Sequence, residues 1–97
     1  MTSRDEILDL LKSVKSDLTS RYKVRSIGLF GSFARMEGRT DSDVALLVDF
    51  YEGADLFDLV DLSEYLEKKI GSCVSLATPR TLRPELRDGI YRDVVYA

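Results

Sequence analysis

Two short apolar runs separated by a glycine-bearing segment constrain the fold of this chain more than any other feature. The first run, Val24–Phe30, reads VRSIGLF, and the second, 42–50, reads SDVALLVDF. Apolar runs of this length bounded by polar residues are typical of buried strands, and strands consecutive in sequence are usually neighbours. The segment between them must turn at Gly31 and again at Gly38, with room for one helical turn over 33–37. The sequence therefore predicts a strand, a turn and a second, adjacent strand.

Helical patterns flank these two strands. Ser3 and Glu6 form a capping-box pair at the start of an apolar repeat with helical spacing, which predicts a first helix over 3–20. Asp55 can cap a second helix that stops at Gly71. The buried face of this second helix is expected to contain Leu56, Val60, Leu66 and Ile70.

A short strand and a last helix complete the predicted order. The run CVSLA, 73–77, reads as a third strand, Pro84 suits the first turn of a third helix, and VVYA can close the chain as an edge strand or as an extended tail. A chain of 97 residues with 44% hydrophobic content can bury one core and is too short for two ordinary domains. We therefore expect one α+β domain over 1–97.

Charge and composition restrict the functions open to this chain. Residues 41–67 contain nine acidic and no basic residues, which argues against nucleic-acid or DNA binding on that face. The acidic block either binds a basic protein partner or a divalent cation, or is a solvated helix face. The chain has no histidine and one cysteine, so histidine catalysis and zinc-finger spacing are excluded. No apolar run reaches the roughly 18 residues of a membrane span and the start lacks a secretory pattern, so a cytoplasmic protein is expected.

The strand, turn and acidic strand together can hold a phosphate and a cation. Gly31 lets the backbone approach a phosphate closely, Ser32 can donate a hydrogen bond, and Arg35 either neutralises phosphate charge or is a solvated surface side chain. Asp43 and residue 45 are expected on the same face of the strand, with Cα atoms about 6.6 Å apart. Two carboxylates at that spacing could share a cation, but position 45 is Ala45.

These residues resemble a known signature. GSFARMEGRTDSDVALLV is similar to the motif of the minimal nucleotidyltransferases of the DNA polymerase β superfamily, in which Gly-Ser is followed after ten residues by Asp-x-Asp. The resemblance continues to a later strand whose aspartate aligns with Ser75 and to the segment 78–97. It implies the polymerase-β-like fold, with a small mixed sheet of three to four strands and helices packed on one side.

The resemblance also implies chemistry and partners. Family members bind two Mg²⁺ ions through three aspartates. Small proteins resembling this chain act as antitoxins that transfer AMP from ATP to a tyrosine of a helical ribonuclease of the HEPN class. Carried over, Gly31 and Ser32 would hold the nucleotide phosphates and Asp43 would be the catalytic metal ligand. Two of the three metal carboxylates are absent, at Ala45 and Ser75.

Two hypotheses follow from these residues. The chain is either an AMP-transferring antitoxin, impaired at its metal positions, or an inactive binding module that neutralises a HEPN partner stoichiometrically, with nucleotide as a ligand and self-association left open. Natural divergence and deliberate inactivation of an active parent would both give this pattern. Asp41 is the candidate substitute ligand, if the second strand begins that early. The commoner use of an aspartate before a strand is in the turn.

Overall fold

The computed structural model describes residues 3–36 and 43–97. Within these ranges the chain forms three helices and one mixed four-stranded sheet, which confirms the expected α+β fold. The elements in chain order are α1 Arg4–Tyr22, β1 Val24–Phe30, β2 Val44–Phe50, α2 Leu56–Ile70, β3 Val74–Ala77, α3 Pro84–Asp93 and β4 Val95–Tyr96. None of the helices in the described ranges is both long and apolar enough to cross a bilayer.

The sheet has the strand order β3-β2-β1-β4. β1 pairs antiparallel with β2 and with β4, whereas β2 and β3 run parallel and are joined by α2. The predicted adjacency of the first two strands is therefore confirmed, and β4 occupies the edge that the VVYA pattern indicated. Because β2 and β3 are parallel neighbours, their first residues lie at the same end of the sheet.

The core lies between one face of the sheet and the helices α1 and α2. Alternate residues of β2 belong to the core cluster, so the residues between them must face the other way. The cluster members in α1, α2, β1 and β2 are Ile7, Leu8, Leu11, Val14, Leu18, Leu62, Leu66, Val24, Ile27, Leu29, Val44, Leu46 and Val48. The opposite face of the sheet is accessible near the start of β2, where Ala45 is partly exposed, whereas Leu47 farther along that face is buried.

The ends of α1 follow the capping pattern. The Ser3 side chain accepts a hydrogen bond from the Glu6 backbone N–H, as the capping-box pair predicts. The helix continues to Tyr22, two residues beyond the predicted end, and stops where Lys23 adopts a left-handed conformation with φ 62°. No glycine or proline marks this stop, which is why the sequence alone placed it too early.

α2 begins in a complete capping box. The Asp55 carboxylate accepts from the Asp58 N–H, and the Asp58 carboxylate accepts from the Asp55 N–H, each at 3.0 Å. The hydrogen bond from the Asp55 backbone is the main cause that lowers the pKa of Asp58 below its ordinary value of 3.8, and the charge of Lys23 acts in the same direction. The helix ends at Gly71 with φ 79°, as predicted.

The predicted buried face of α2 was wrong in its first turn. Leu56 and Val60 are 71% and 47% exposed, whereas Leu62 and Leu66 are fully buried. At 3.6 residues per turn, Val60 lies about 120° around the helix from Leu66, so both cannot face the sheet. The apolar residues of this helix cover more of its circumference than one buried face can hold, and the pattern alone does not show which part faces the sheet.

Candidate active site

The positions aligned with the missing carboxylates face each other across two strands. Ala45 and Ser75 are register partners in the parallel pair of β2 and β3, and Phe30 at the end of β1 is the partner of Ala45 on the other side. Neighbouring strands lie about 4.8 Å apart, and paired side chains point to the same face. That face is the one opposite the core, so positions 45 and 75 meet on the open side of the sheet.

The turn after β1 brings Gly31 against this pair. A Cβ atom on Gly31 would lie 3.3 Å from Cβ of Ala45, and Gly31 has a positive φ of 79°. The Arg35 N–H donates to the carbonyl of Gly31 at 3.2 Å, and the Met36 N–H donates to the carbonyl of Phe33 at 3.1 Å. These bonds form one tight turn, close to the single helical turn expected over 33–37. Residue 37 lies outside the described residues.

The close approach at Gly31 predicts a measurable cost of substitution. Gly31→Ala should lower the free energy of unfolding by about 2 kcal/mol, because alanine is disfavoured at positive φ and its methyl group would crowd Ala45. Gly53→Ala is the matched control, since Gly53 has φ 98° and open space around its Cα. We expect about 1 kcal/mol from the control in urea denaturation. Equal losses for the two variants would contradict the crowding.

Asp43 is the carboxylate that remains among the three aligned positions. It is exposed and directly precedes β2, where the Val44 N–H donates to the carbonyl of Cys73 at 2.9 Å and aligns the starts of β2 and β3. Ala45 offers a methyl group and Ser75 a neutral hydroxyl, neither of which replaces a carboxylate as a Mg²⁺ ligand. In the described part of the chain, no three His, Cys, Asp or Glu side chains cluster so that they could hold a metal ion. A two-Mg²⁺ centre does not fit these residues.

Arg35 has a specific partner across the fold. Its Nη1 atom lies 3.2 Å from Oδ2 of Asp93 at the end of α3, and both side chains are partly exposed. The ion pair fixes Arg35 beside the turn that begins at Gly31. Arg35 can approach a phosphate bound there only if it shares or exchanges this carboxylate partner.

An open cleft next to the turn was not predicted from the sequence. It has a volume of about 320 Å³ and lies between the end of β1 and one side of α3. Its lining residues are Phe30, Gly31, Arg35, Leu86, Gly89, Ile90 and Asp93. The spacing of Leu86 and Ile90, one helical turn apart, was the available signal for an apolar side of α3. The cleft gives the Gly31 turn an apolar neighbour large enough for part of a ligand.

The remaining candidates divide between described and undescribed residues. Ser32 is half-buried directly after Gly31, at the start of the turn. Asp41, the candidate substitute ligand, lies outside the described residues, as does the predicted turn at Gly38. The structure thus brings Gly31, Ser32, Ala45 and Ser75 to one end of the open face, with Asp43 at the start of β2.

Known proteins resemble this chain over most of its length. A family profile described as a nucleotidyltransferase domain matches residues 11–97. The protein adenylyltransferase MntA of Thermococcus cleftensis is 41% identical over 96 residues, which cover 99% of this chain and 97% of that protein. A solved structure described as a minimal nucleotidyltransferase is 35% identical and superposes with a TM-score of 0.84, covering 97% of this chain and 95% of that chain.

A more distant solved structure shares the fold. A toxin-antitoxin structure with AMP-PNP has a TM-score of 0.69 and 21% identity, and the match covers 98% of this chain and 72% of that chain. At this level of identity the likeness concerns the path of the backbone.

Proposed function

Because this chain belongs to the nucleotidyltransferase domain family, we propose that it is a nucleotide-binding antitoxin that neutralises a HEPN-domain toxin chiefly by binding it. Its transfer of AMP from ATP is strongly impaired. The observation that carries this proposal is the register pairing of Ala45 with Ser75, because the resemblance aligns these two uncharged side chains with two of the family's metal carboxylates. In this proposal residues 1–97 act as one domain in the cytoplasm.

The size of the impairment follows from the missing charge. Two cations about 3.5–4 Å apart repel each other strongly, and one carboxylate cannot offset that repulsion. If metal stabilisation of the transition state contributes several kcal/mol, losing half of it slows the reaction by roughly a hundredfold. Asp43 alone is therefore insufficient for efficient AMP transfer in this account.

Nucleotide binding does not require the full metal centre. Gly31 and Ser32 would hold the phosphates, since a glycine at positive φ followed by a hydroxyl lets backbone and side-chain donors approach an anion. Mg²⁺ would arrive with ATP and take Asp43 as a carboxylate ligand. Arg35, held by Asp93 beside the turn, would add positive charge. The AMP-PNP in a solved toxin-antitoxin structure with the same fold supports nucleotide binding in general.

An active AMP transferase is the second candidate. The 41% identity with a protein adenylyltransferase over nearly the whole chain favours it, as does the retention of Asp43. The two candidates differ in stoichiometry, because an enzyme inactivates many partner molecules and a binding module inactivates about one.

A titration separates the two candidates. The purified chain is added to a purified HEPN-domain ribonuclease, and RNA cleavage is measured with and without Mg²⁺-ATP. We expect inhibition to require about one antitoxin per toxin, with little change in the Asp43→Ala variant. Ser32→Ala should weaken ATP binding in calorimetry by about tenfold, a loss of about 1.4 kcal/mol, while leaving the complex intact.

Two outcomes would contradict the proposal. Inhibition at far less than one antitoxin per toxin, dependent on ATP and lost in Asp43→Ala, would identify the chain as an active enzyme. Unchanged ATP affinity in Ser32→Ala would remove the phosphate role of the turn.

A further inference from the structure

The first turns of α2 expose large apolar side chains that the fold does not cover. Leu56 and Phe57 are 71% and 78% exposed, and Val60 is 47% exposed. We call these three residues the α2 knob. Scattered apolar side chains are normal on a protein surface, but three on adjoining positions of one helix form a patch of the kind that contacts other molecules.

Helix geometry shows that Phe57 and Leu66 cannot both be buried against the core. At 3.6 residues per turn, Phe57 lies about 180° around the helix from Leu66, which is fully buried against the core. A rotation of α2 that covered Phe57 would expose Leu66 and break the core. The exposure of Phe57 is therefore a consequence of the sequence pattern and not of a loosely packed helix.

The backbone under the α2 knob is held in place. Asp55 and Asp58 close the capping box, and Nζ of Lys23 lies 3.2 Å from the carbonyl oxygen of Gly53 and 3.5 Å from Oδ2 of Asp58. A pre-organised apolar surface loses little conformational entropy when it binds. These contacts hold the start of α2, the segment of helix that carries Phe57.

Acidic residues surround the α2 knob. Residues 51–67 contain six acidic and no basic residues. Asp61 follows Phe57 by four residues and Glu64 follows Val60 by four, so both exposed carboxylates lie next to the knob on the helix surface. The positive charge of Lys23 offsets the negative charge of Asp58. Basic residues line a groove together with Asp61 and Glu64 and offset part of the charge of these two carboxylates. The surroundings of the α2 knob therefore keep an excess of negative charge.

We propose that the α2 knob docks into an apolar groove on a protein partner whose rim carries lysine and arginine. A second copy of this chain is a poor occupant, because a symmetric contact through the same patch would bring like charges together. Nucleic acid is repelled by the same acids. The inference rests on the proposed function only for the existence of a protein partner, the HEPN toxin.

This surface is separate from the candidate active site. α2 begins just beyond the end of β2, whereas Asp43 precedes its start, so the two lie about 23 Å apart along the strand. Substitutions in the α2 knob should therefore leave nucleotide binding unchanged. An unchanged ATP affinity therefore shows that a variant of the α2 knob is still folded.

The test compares two exposed aromatic residues. Phe57→Ser should raise the Kd for the purified HEPN ribonuclease of the titration by about 30-fold, the effect of losing an interface hot spot, with unchanged ATP affinity. Tyr91→Ser is the matched control, since Tyr91 is 41% exposed on α3, and its Kd should stay within about twofold. The double variant Asp61→Asn with Glu64→Gln should reduce the salt dependence of the association rate.

Three outcomes would overturn the inference. A Kd unchanged in Phe57→Ser would overturn this inference alone and leave the proposed function standing. Self-association of the wild-type chain in sedimentation, abolished by Phe57→Ser, would assign the surface to a second copy. The absence of any complex between the wild-type chain and the HEPN ribonuclease would overturn the proposed function and the inference together.

Discussion

Replacing Ala45 and Ser75 together with aspartate should raise the affinity for Mg²⁺-ATP at least tenfold and accelerate AMP transfer to a HEPN partner by roughly a hundredfold. The two positions are register partners on adjacent parallel strands, so the new carboxylates would start about 4.8 Å apart at Cα. Asp43 lies two residues before Ala45 and would complete the set. Calorimetry with Mg²⁺-ATP and a label-transfer assay measure the two gains.

The control variant for this restoration has side chains of about the same volume as aspartate but without the negative charge. Ala45→Asn with Ser75→Asn introduces side chains of nearly the same size as aspartate but no carboxylate, so it should give neither gain. A restored variant that binds Mg²⁺-ATP no better than the asparagine control would show that positions 45 and 75 are not where a metal is held.

Truncation of Phe33 is expected to have the largest effect on stability. Phe33 is 3% exposed and belongs to the core cluster, although it lies in the turn that carries Gly31 and Ser32. Phe33→Ala should lower the free energy of unfolding by about 3–5 kcal/mol, because it removes an aromatic side chain from a packed core. It should also weaken ATP binding, since the ring anchors the turn. Urea denaturation and calorimetry provide the measurements.

Met36→Ala is the matched control for Phe33. Met36 lies in the same turn, but it is 71% exposed, so its truncation should change the free energy of unfolding by less than about 0.5 kcal/mol. Similar losses in the two variants would mean that Phe33 does not anchor the turn. If Phe33→Ala loses much stability but keeps its ATP affinity at low temperature, the Phe33 ring supports the fold and is not needed for phosphate binding.

Local signals predicted most of the fold. Ser3 and Asp55 predicted the starts of α1 and α2, and Gly71 predicted the end of α2. The two apolar runs predicted the central pair of strands. Each of these features depends on residues that are close together in the sequence. The spacing from Gly31 to Asp43 gave the family, which the comparisons confirm. The resemblance also aligned Ser75 with the missing carboxylate of a later strand, and the sheet register places it beside Ala45.

Contacts between distant parts of the chain could not be predicted from local signals. The ion pair of Arg35 with Asp93 joins residues 58 positions apart, so no sequence spacing indicates it. Which apolar stripe of α2 faces the sheet depends on how the helix packs, and for this reason Leu56 and Val60 were wrongly placed in the core. Leu56 and Val60 instead belong to the exposed surface through which we expect the partner to bind.

The measurement that tests the central claim most directly is transfer of label from ATP to a HEPN partner by the unaltered chain, in Mg²⁺ and in Mn²⁺. We expect a stable complex in which the partner is labelled about a hundredfold more slowly than by the Ala45→Asp, Ser75→Asp variant. Labelling that depends on Asp43 and is as fast as with that variant would contradict this expectation, and would show that one carboxylate beside Ala45 and Ser75 is enough for efficient AMP transfer.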